Sequence, residues 1–277
     1  MQSGAQRLVV ITGGAEGIGW ATAQLFADKG YHVAIIDIDA EKVIQRATSL
    51  GPAHSGHVCD IAVEAEAKNT IIDIVDQHGG VDVLVNNAGI GDTSLPTLEQ
   101  NATHFQRVID VHLTGTFTLS RLCADYMVAK SKGGAIVNFS SIAGLTGLPG
   151  RNAYGAAKAG IIAMTKSMAS EWGSLGIRVN AVAPGYVKTA LVAKLVAEGL
   201  LDEDSIVRRT PLGRFINPAE IAEAVYFLAS PVASAVTGAV LSVDAGWMAY
   251  GAAGQVIDPD QTQRHASKLA SADRGTA

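Results

Sequence analysis

The sequence predicts an α/β protein, a single domain built on a doubly wound parallel sheet with helices on both faces. Three observations predict it. Seven short strand-like runs alternate with longer stretches of helical spacing, most of the runs are apolar throughout, and a glycine-rich turn joins the first run to the first helical stretch. Right-handed crossovers between successive parallel strands then put helices on both sides of the sheet.

The first run, Leu8–Ile11, leads into Thr12-Gly13-Gly14-Ala15-Glu16-Gly17-Ile18-Gly19 and then into Trp20-Ala21-Thr22-Ala23-Gln24-Leu25-Phe26, which has helical spacing. In a strand–turn–helix unit, glycines let the backbone turn sharply and approach a pyrophosphate. The N–H groups and positive dipole end of the new helix then face its charge. The second run, Val33–Asp37, ends in a carboxylate about two dozen residues after Gly13. An acid there can take both hydroxyls of an adenosine ribose, whereas a 2′-phosphate beside it would cost roughly 3 kcal/mol per charge at ~5 Å and an effective dielectric of ~20. Glu16 adds a second acid where a phosphate site would want Arg or Lys. The two acids predict NAD in preference to NADP. Asp37 also has a plainer reading, as the N-cap of the helix carrying Glu41-Lys42-Val43-Ile44.

The third and fourth runs, His57–Asp60 and Val81–Val85, lead to Asp60-Ile61 and to Asn86-Asn87-Ala88-Gly89. The fifth, Ala135–Phe139, leads to Ser140-Ser141, and the sixth, Arg178–Val182, to Pro184-Gly185-Tyr186-Val187-Lys188-Thr189; Val240–Val243 is the last. Ligands of doubly wound sheets bind beyond the carboxyl ends of the strands, where Gly13, Asp37, Asp60, Asn87, Ser141 and Pro184 all fall. Tyr154 and Lys158, four apart in the helical stretch 154–162, share one helix face. An ammonium about 5 Å from a phenol, at an effective dielectric near ~20, favours phenolate by about 3 kcal/mol, roughly two pKa units. Tyr154 can then act as a base near neutral or mildly alkaline pH. Such pairs are common on helix surfaces, so the neighbours decide.

Among 277 residues, 48% are apolar and 17% charged, a balance suited to one large core with extensive buried or subunit-facing surface. The net charge of -5 and the lack of a Lys/Arg stripe interleaved with aromatics argue against nucleic-acid binding. Arg7 already borders the first strand, and no apolar span is long enough to cross a bilayer, so a soluble cytoplasmic protein is expected, with no membrane partner. Cys59 and Cys123 are far apart and lack metal-site spacing. They are expected to be buried, reduced thiols, and no metal is expected. From about Tyr250 the composition turns polar and alanine-rich, so residues 250–277 read as a tail, either disordered or packed on a neighbouring subunit, after a catalytic domain of residues 1–249.

Taken in order, the early glycines, Asn86-Asn87-Ala88-Gly89, Asn138-Phe139-Ser140-Ser141, Tyr154 with Lys158, and Pro184-Gly185-Tyr186-Val187-Lys188-Thr189 resemble the short-chain dehydrogenase/reductase family in its compact, single-domain oxidoreductase branch. The resemblance covers approximately residues 7–249 and implies a Rossmann-like fold and, by family habit, a homotetramer. It implies that Ser141 hydrogen-bonds the substrate oxygen, Tyr154 exchanges its proton, and Lys158 holds the nicotinamide ribose and lowers the tyrosine pKa. Ser140 is a rival for the serine role, but the spacing from Ser141 to Tyr154 matches the family. The resemblance further implies cofactor contacts from Gly13, Gly17, Ile18 and Gly19, adenine contacts from Asp60 and Ile61, a ribose-side contact from Asn87, and carboxamide and phosphate contacts from Val187 and Thr189. His112 stands where the family usually carries an asparagine that anchors a water between the lysine and solvent. Imidazole can also hydrogen-bond and transfer protons, so a relay through His112 is an open expectation.

Residues 190–214 resemble the family's mobile substrate lid. Arg208 and Arg209 are candidates for an anionic substrate group, although adjacent arginines are usually solvated or paired. Arg151, three residues before Tyr154, is closer to the chemistry or supports an oligomer contact. The resulting expectation is NAD-dependent interconversion of a secondary alcohol, a polyol or sugar among the options, and a ketone. The alternatives are a β-ketoacyl reductase using NAD(P)H and a non-catalytic dinucleotide sensor.

Overall fold

In the computed structural model, which describes residues 6–91, 95–130, 133–252, 256, 263 and 264, seven strands form one parallel sheet in the order β3-β2-β1-β4-β5-β6-β7. The chain runs β1 (Leu8–Thr12), α1 (Gly17–Asp28), β2 (His32–Asp37), α2 (Ala40–Leu50), β3 (Ser55–Val58), α3 (Glu64–His78) and β4 (Val83–Asn86). It continues through α4 (Ala102–Ile109), α5 (Gly115–Ala129), β5 (Gly134–Phe139), α6 (Asn152–Trp172), β6 (Ile177–Pro184), α7 (Ala190–Ala197), α8 (Glu203–Arg209), α9 (Pro218–Ala229) and β7 (Val240–Val243). β1 pairs with both β2 and β4, so the strand order reverses beside the glycine turn. A crevice opens there at the carboxyl edge of the sheet.

Alternation along each strand feeds two cores. Leu8 and Val10 of β1 pack with α3, α5 and α6 through Ile71, Leu119 and Met168. Val9 and Ile11 face the other way, onto Ala23 and Phe26 of α1 and Val225 of α9. Both faces of β1 are buried, which explains why its sequence is an unbroken apolar run. Each fully buried Ile or Val of this sheet contributes about 1.5–3 kcal/mol through removal from water.

A buried polar chain ties the sheet to its helices. Asn86 Nδ2 donates to Ser120 Oγ on α5 and to Asn138 Oδ1 on β5, both at 2.9 Å, and Asn138 Nδ2 donates to Thr165 Oγ1 on α6 at 3.0 Å. Cys59 and Cys123 are buried free thiols in the same core, as expected, and burial pushes both up from the usual thiol range.

The strand boundaries shift modestly from the sequence reading, most clearly at β3. The run His57–Asp60 was expected; the strand is Ser55–Val58. Asp60 is drawn out of the ladder because its Oδ1 accepts from Ala62 N–H at 3.0 Å and its carbonyl from Val63 N–H. Most of the expected tail, 250–277, lies outside the described residues.

Histidines gather at the opposite edge of the sheet. The Nδ1 atoms of His32 and His78 are 3.4 Å apart, His78 and His57 share the Ser55 hydroxyl at 3.1 and 2.9 Å, and His54 Nδ1 accepts from Val33 N–H at 3.1 Å. Burial, followed by repulsion from neighbouring histidines, holds His54, His57 and His78 below the ordinary imidazole range, with Asp73 opposing the shift at His57. The unfolded chain therefore binds more protons below about pH 6.5, so stability present above that pH is lost as the pH falls towards the depressed folded values. Thermal melts across this range should show Tm falling with acidification, and His57→Gln with His78→Gln should flatten the slope. An unchanged slope in that variant would assign the acid loss to other groups.

Candidate active site

The turn after β1 owes its shape to backbone that side chains cannot replace. Gly13 and Gly17 have φ of +61° and +55°, in the left-handed region. A Cβ on Gly13 would lie 2.8 Å from Ala88 Cα, and one on Gly19 would lie 2.0 Å from the Gly13 carbonyl oxygen. Thr12 Oγ1 accepts from the N–H groups of Asn87 and Ala88, each at 3.0 Å, and Asn87 Nδ2 donates to the Thr12 and Gly13 carbonyls at 3.0 Å. The amide of Asn87, expected at the ribose, is thus engaged with the turn itself while the residue still lines the crevice. Glu16 at the N-cap of α1 gives no side-chain cap, whereas Asp39, Asn101, Thr189 and Asp202 cap α2, α4, α7 and α8. This combination of a cradle without Cβ atoms and a helix N-terminus not capped by a side chain fits a pyrophosphate.

The groove beyond the turn has a volume of about 400 Å³, and its lining includes Gly17, Ile18, Asp37, Asp60, Ile61 and Thr189. Asp37 Oδ2 accepts from Ala15 N–H at 3.1 Å and Oδ1 from Asp39 N–H at 3.2 Å. Asp39, accepting from Lys42 N–H at 3.0 Å, is the N-cap of α2, so the plainer reading of Asp37 is set aside. Lys42, absent from the sequence reading of the groove, lies 2.7 Å from Glu16 Oε1 and 3.0 Å from Asp39 Oδ2. These hydrogen bonds push its ammonium above the usual lysine range. Asp60 Oδ2 is similarly paired with Arg107 at 2.8 Å, another groove residue missed in the sequence. Neither cation follows a motif; each is brought in by a helix packed beside the strand ends.

A second cavity of about 630 Å³ shares Ile18, Asn87, Gly89, Ile90, Thr189 and Leu191 with the groove and contains Ser141, Tyr154, Lys158 and His112 in its wall. Ser141 follows β5 and caps a short turn, its Oγ accepting from Ala143 N–H at 3.1 Å, which leaves the hydroxyl hydrogen for an oxygen in the cavity. Ser140 is turned to α6, donating to the Lys158 carbonyl at 2.9 Å. Lys158 Nζ donates to the Phe139 carbonyl at 2.7 Å and lies 5.4 Å from the centroid of the Tyr154 ring. The lysine is only 4% exposed, and burial pushes it down to about 7. Its charge near neutral pH therefore depends on partners in the cavity.

His112 meets Tyr154 edge to face, ring centroids 5.3 Å apart and planes at 88°. It sits in a π turn, Asp110–Thr114, between α4 and α5. The wider turn offsets the residues that follow it relative to a regular helix. The backbone N and O of Ile90 lie 3.1 and 2.9 Å from His112 Nε2, and the ring lies against Gly89, where a Cβ would be 2.3 Å from Cε1.

The cavity is roofed by the segment 190–214, which carries α7 and α8. Thr189 caps α7 by accepting from Val192 N–H at 3.3 Å, and Val187 pairs with Ile216. Arg208 donates to Ser205 Oγ, and Arg209 stacks 3.9 Å over Trp247 and donates to its carbonyl. Neither lines the cavity, whereas Arg151 does. Among the described residues no group of three or more His, Cys, Asp or Glu is placed to hold a metal ion, and no helix is long and apolar enough to cross a membrane.

The chain is similar in sequence and fold to known proteins. A family model described as enoyl-(acyl carrier protein) reductase matches residues 13–248. An uncharacterized short-chain type dehydrogenase/reductase of Sinorhizobium fredii is 45% identical over 87% of the chain, which spans only 44% of that relative's length. A cis-4-hydroxycyclohexanecarboxylate dehydrogenase of Sinomonas cyclohexanicum is 42% identical over 88% of the chain and 98% of its own. The 3-oxoacyl-[acyl-carrier-protein] reductase of Thermotoga maritima is 39% identical over 87% and 97%. A solved structure of ElxO with NADP bound superimposes with a TM-score of 0.83 at 36% identity, covering 88% of this chain and 99% of that one. With its fold, crevice and these relatives in agreement, the chain is an oxidoreductase of CH–OH groups with a nicotinamide-dinucleotide fold, and it belongs to the short-chain dehydrogenase/reductase family.

Proposed function

We propose that the protein oxidises a secondary alcohol to a ketone with NAD, reduction being accessible in reverse. The observation that carries this reading is Tyr154 and Lys158 on one face of α6, lining with Ser141 a cavity continuous with the dinucleotide groove. A bound nicotinamide supplies the carbon that accepts hydride. Ser141 donates its free hydroxyl hydrogen to the substrate oxygen and orients it. Tyr154 takes the hydroxyl proton as general base. Lys158, anchored by the Phe139 carbonyl, stabilises the phenolate and reaches the ribose side of the cleft. His112, edge-on to Tyr154 and bound to the Ile90 backbone, is the group through which a proton can leave towards solvent.

The acids around the ribose end support NAD. Glu16, Asp37 and Asp39 outnumber Lys42 there, and Lys42 is already shared between two of them. A 2′-phosphate would have to draw that lysine away while lying near Asp37. Gly13, Gly17, Ile18 and Gly19 would hold the pyrophosphate, Asp60 and Ile61 the adenine, and Val187 and Thr189 the nicotinamide side. A second reading, ketone reduction on an acyl thioester with NADPH, draws on the Thermotoga maritima relative; the same acids oppose it. Intact Ser141, Tyr154 and Lys158 oppose a purely sensory role. The reading places the protein in the cytoplasm as a homo-oligomer, a tetramer by family habit. Exposed Phe105 on α4 and Phe117 on α5 supply apolar surface for subunit packing.

Tyr154→Phe should keep NADH binding, measured by calorimetry, while turnover falls by about 100- to 10,000-fold, because the ring stays and its transferable proton is gone. Near-normal rates would refute the assignment. Asp37→Ala combined with Glu16→Arg should move the NADP-to-NAD ratio of kcat/KM upward by ~10-fold or more after solvent screening, since it removes two acids, adds a cation and leaves Lys42 with Asp39 as its one remaining carboxylate of the two. If the ratio stays put, the acids do not set the preference.

A further inference from the structure

The helix that roofs the catalytic cavity is apolar and uncovered. In α7, Ala190–Ala197, every residue but Lys194 is apolar, yet none is buried. A helix that is apolar nearly all round ordinarily lies inside a protein or against a partner. Leu191 on its first turn is 58% exposed, and Leu200, shortly after its end, is 69% exposed. Both line the cavity that holds Ser141, Tyr154 and Lys158, as do Val192 and Leu195. Val192 and Val196 also pack on the small core of Ile142, Ile206, Phe215 and Trp247, which anchors α7. The uncovered side chains thus open onto the reacting groups.

The rest of the wall continues this character with Ile90, Ile142, Leu148, Leu201 and Ile206. Most of its polar side chains outside the reacting trio are already engaged. Asn87 donates to the Thr12 and Gly13 carbonyls, His112 is bound at the Ile90 backbone, and Ser140 donates to the Lys158 carbonyl. Thr189 accepts from Val192 N–H. Asp202 accepts from the Ser205 N–H and hydroxyl, and Ser205 Oγ accepts in turn from Arg208. Arg151 and Tyr186 act on each other, the arginine charge opposing the rise that burial gives the tyrosine hydroxyl. A polyol or sugar would bring hydroxyls that lose their hydrogen bonds to water and meet few replacements, whereas every methylene placed here gains by leaving water.

Resting on the oxidoreductase reading, we infer that the substrate is a secondary alcohol with a hydrocarbon body, its carbinol at Ser141 and Tyr154 and its body covering Leu191, Val192 and Leu195 of α7. The occupant of this apolar surface is the substrate rather than a second copy of the chain, because these three side chains line the same cavity as the reacting groups. Leu191 also lines the dinucleotide groove, so one apolar side chain borders both ligands. The body makes and breaks no bond: the carbinol C–H hydride goes to the nicotinamide and the O–H proton to Tyr154. Polyols and sugars, which the sequence admits, are set aside by the wall.

The test measures kcat/KM with NAD for the series 2-butanol to 2-heptanol and for the pair cyclohexanol and myo-inositol, the same ring bearing a hydroxyl on every carbon. In wild type each added methylene should raise kcat/KM by about 3- to 4-fold, and cyclohexanol should exceed myo-inositol by about 100-fold or more. Leu195→Ser should lower the 2-heptanol to 2-butanol ratio by about 10-fold, chiefly through KM, while Leu195→Met restores it. Leu212→Ser, exposed and outside the cavity, should leave the ratio as it is. With NADH present in the Tyr154→Phe background, 2-heptanone should raise Tm more than 2-butanone, and Leu195→Ser should shrink that difference. Damage to folding alone would depress every alcohol together and leave the ratio unmoved, which overturns the inference. A flat series in wild type, or preference for myo-inositol, also overturns it and leaves the oxidoreductase reading standing. Absence of turnover on every alcohol overturns both.

Discussion

The contact on which the rest depends is the lock between the ends of β1 and β4. Thr12 offers one hydroxyl oxygen to two successive backbone N–H groups, and Asn87 returns its side-chain amide to the Thr12 and Gly13 carbonyls. Gly13 can enter this lock only without a Cβ, because Ala88 occupies that space. The strand order reverses at this same place, so the lock holds open the crevice while fixing how closely α1 approaches it. Everything downstream, from the acids at the end of β2 to the catalytic wall beyond β5, is measured from that point. The buried chain from Ser120 through Asn86 and Asn138 to Thr165 extends the same logic, holding β4 and β5 to α5 and α6.

A second constraint is the burial of Lys158. An ammonium withdrawn from water favours its neutral form, and one backbone carbonyl gives it a single strong acceptor. The charge of Lys158 is therefore conditional on what else completes its surroundings. His112 stands at an edge-to-face contact with Tyr154, positioned by a π turn and by a glycine that leaves room for its ring.

Much of the architecture was legible from short-range pattern. Apolar runs marked most of the strands because both faces of a parallel sheet are buried, β3 (Ser55–Val58) being an exception with no buried residue, and the glycine turn, Asp37, Ser141, Tyr154 and Lys158 stood out because the chemistry expected of them requires particular residue types at particular spacings. Capping was harder to read: Asp37 and Asp39 are both suitable N-cap residues, and only the path of the chain into α2 selects Asp39. Likewise Asp60 looked like the end of a strand until its hydrogen bond to Ala62 N–H took it out of the ladder.

By itself, then, the sequence determined the fold class and the crevice edge and singled out Ser141, Tyr154 and Lys158 as candidates, since hydrophobic period and local motif chemistry act over a few residues. Tertiary structure alone decided which charges neutralise one another and which side chains share a cavity. Lys42 reached Glu16, Arg107 reached Asp60, and Arg208 and Arg209 turned aside while Arg151 entered the catalytic wall. Electrostatic and packing partners are set by distances in space between segments far apart in the chain, and a sequence pattern holds no direct measure of those distances.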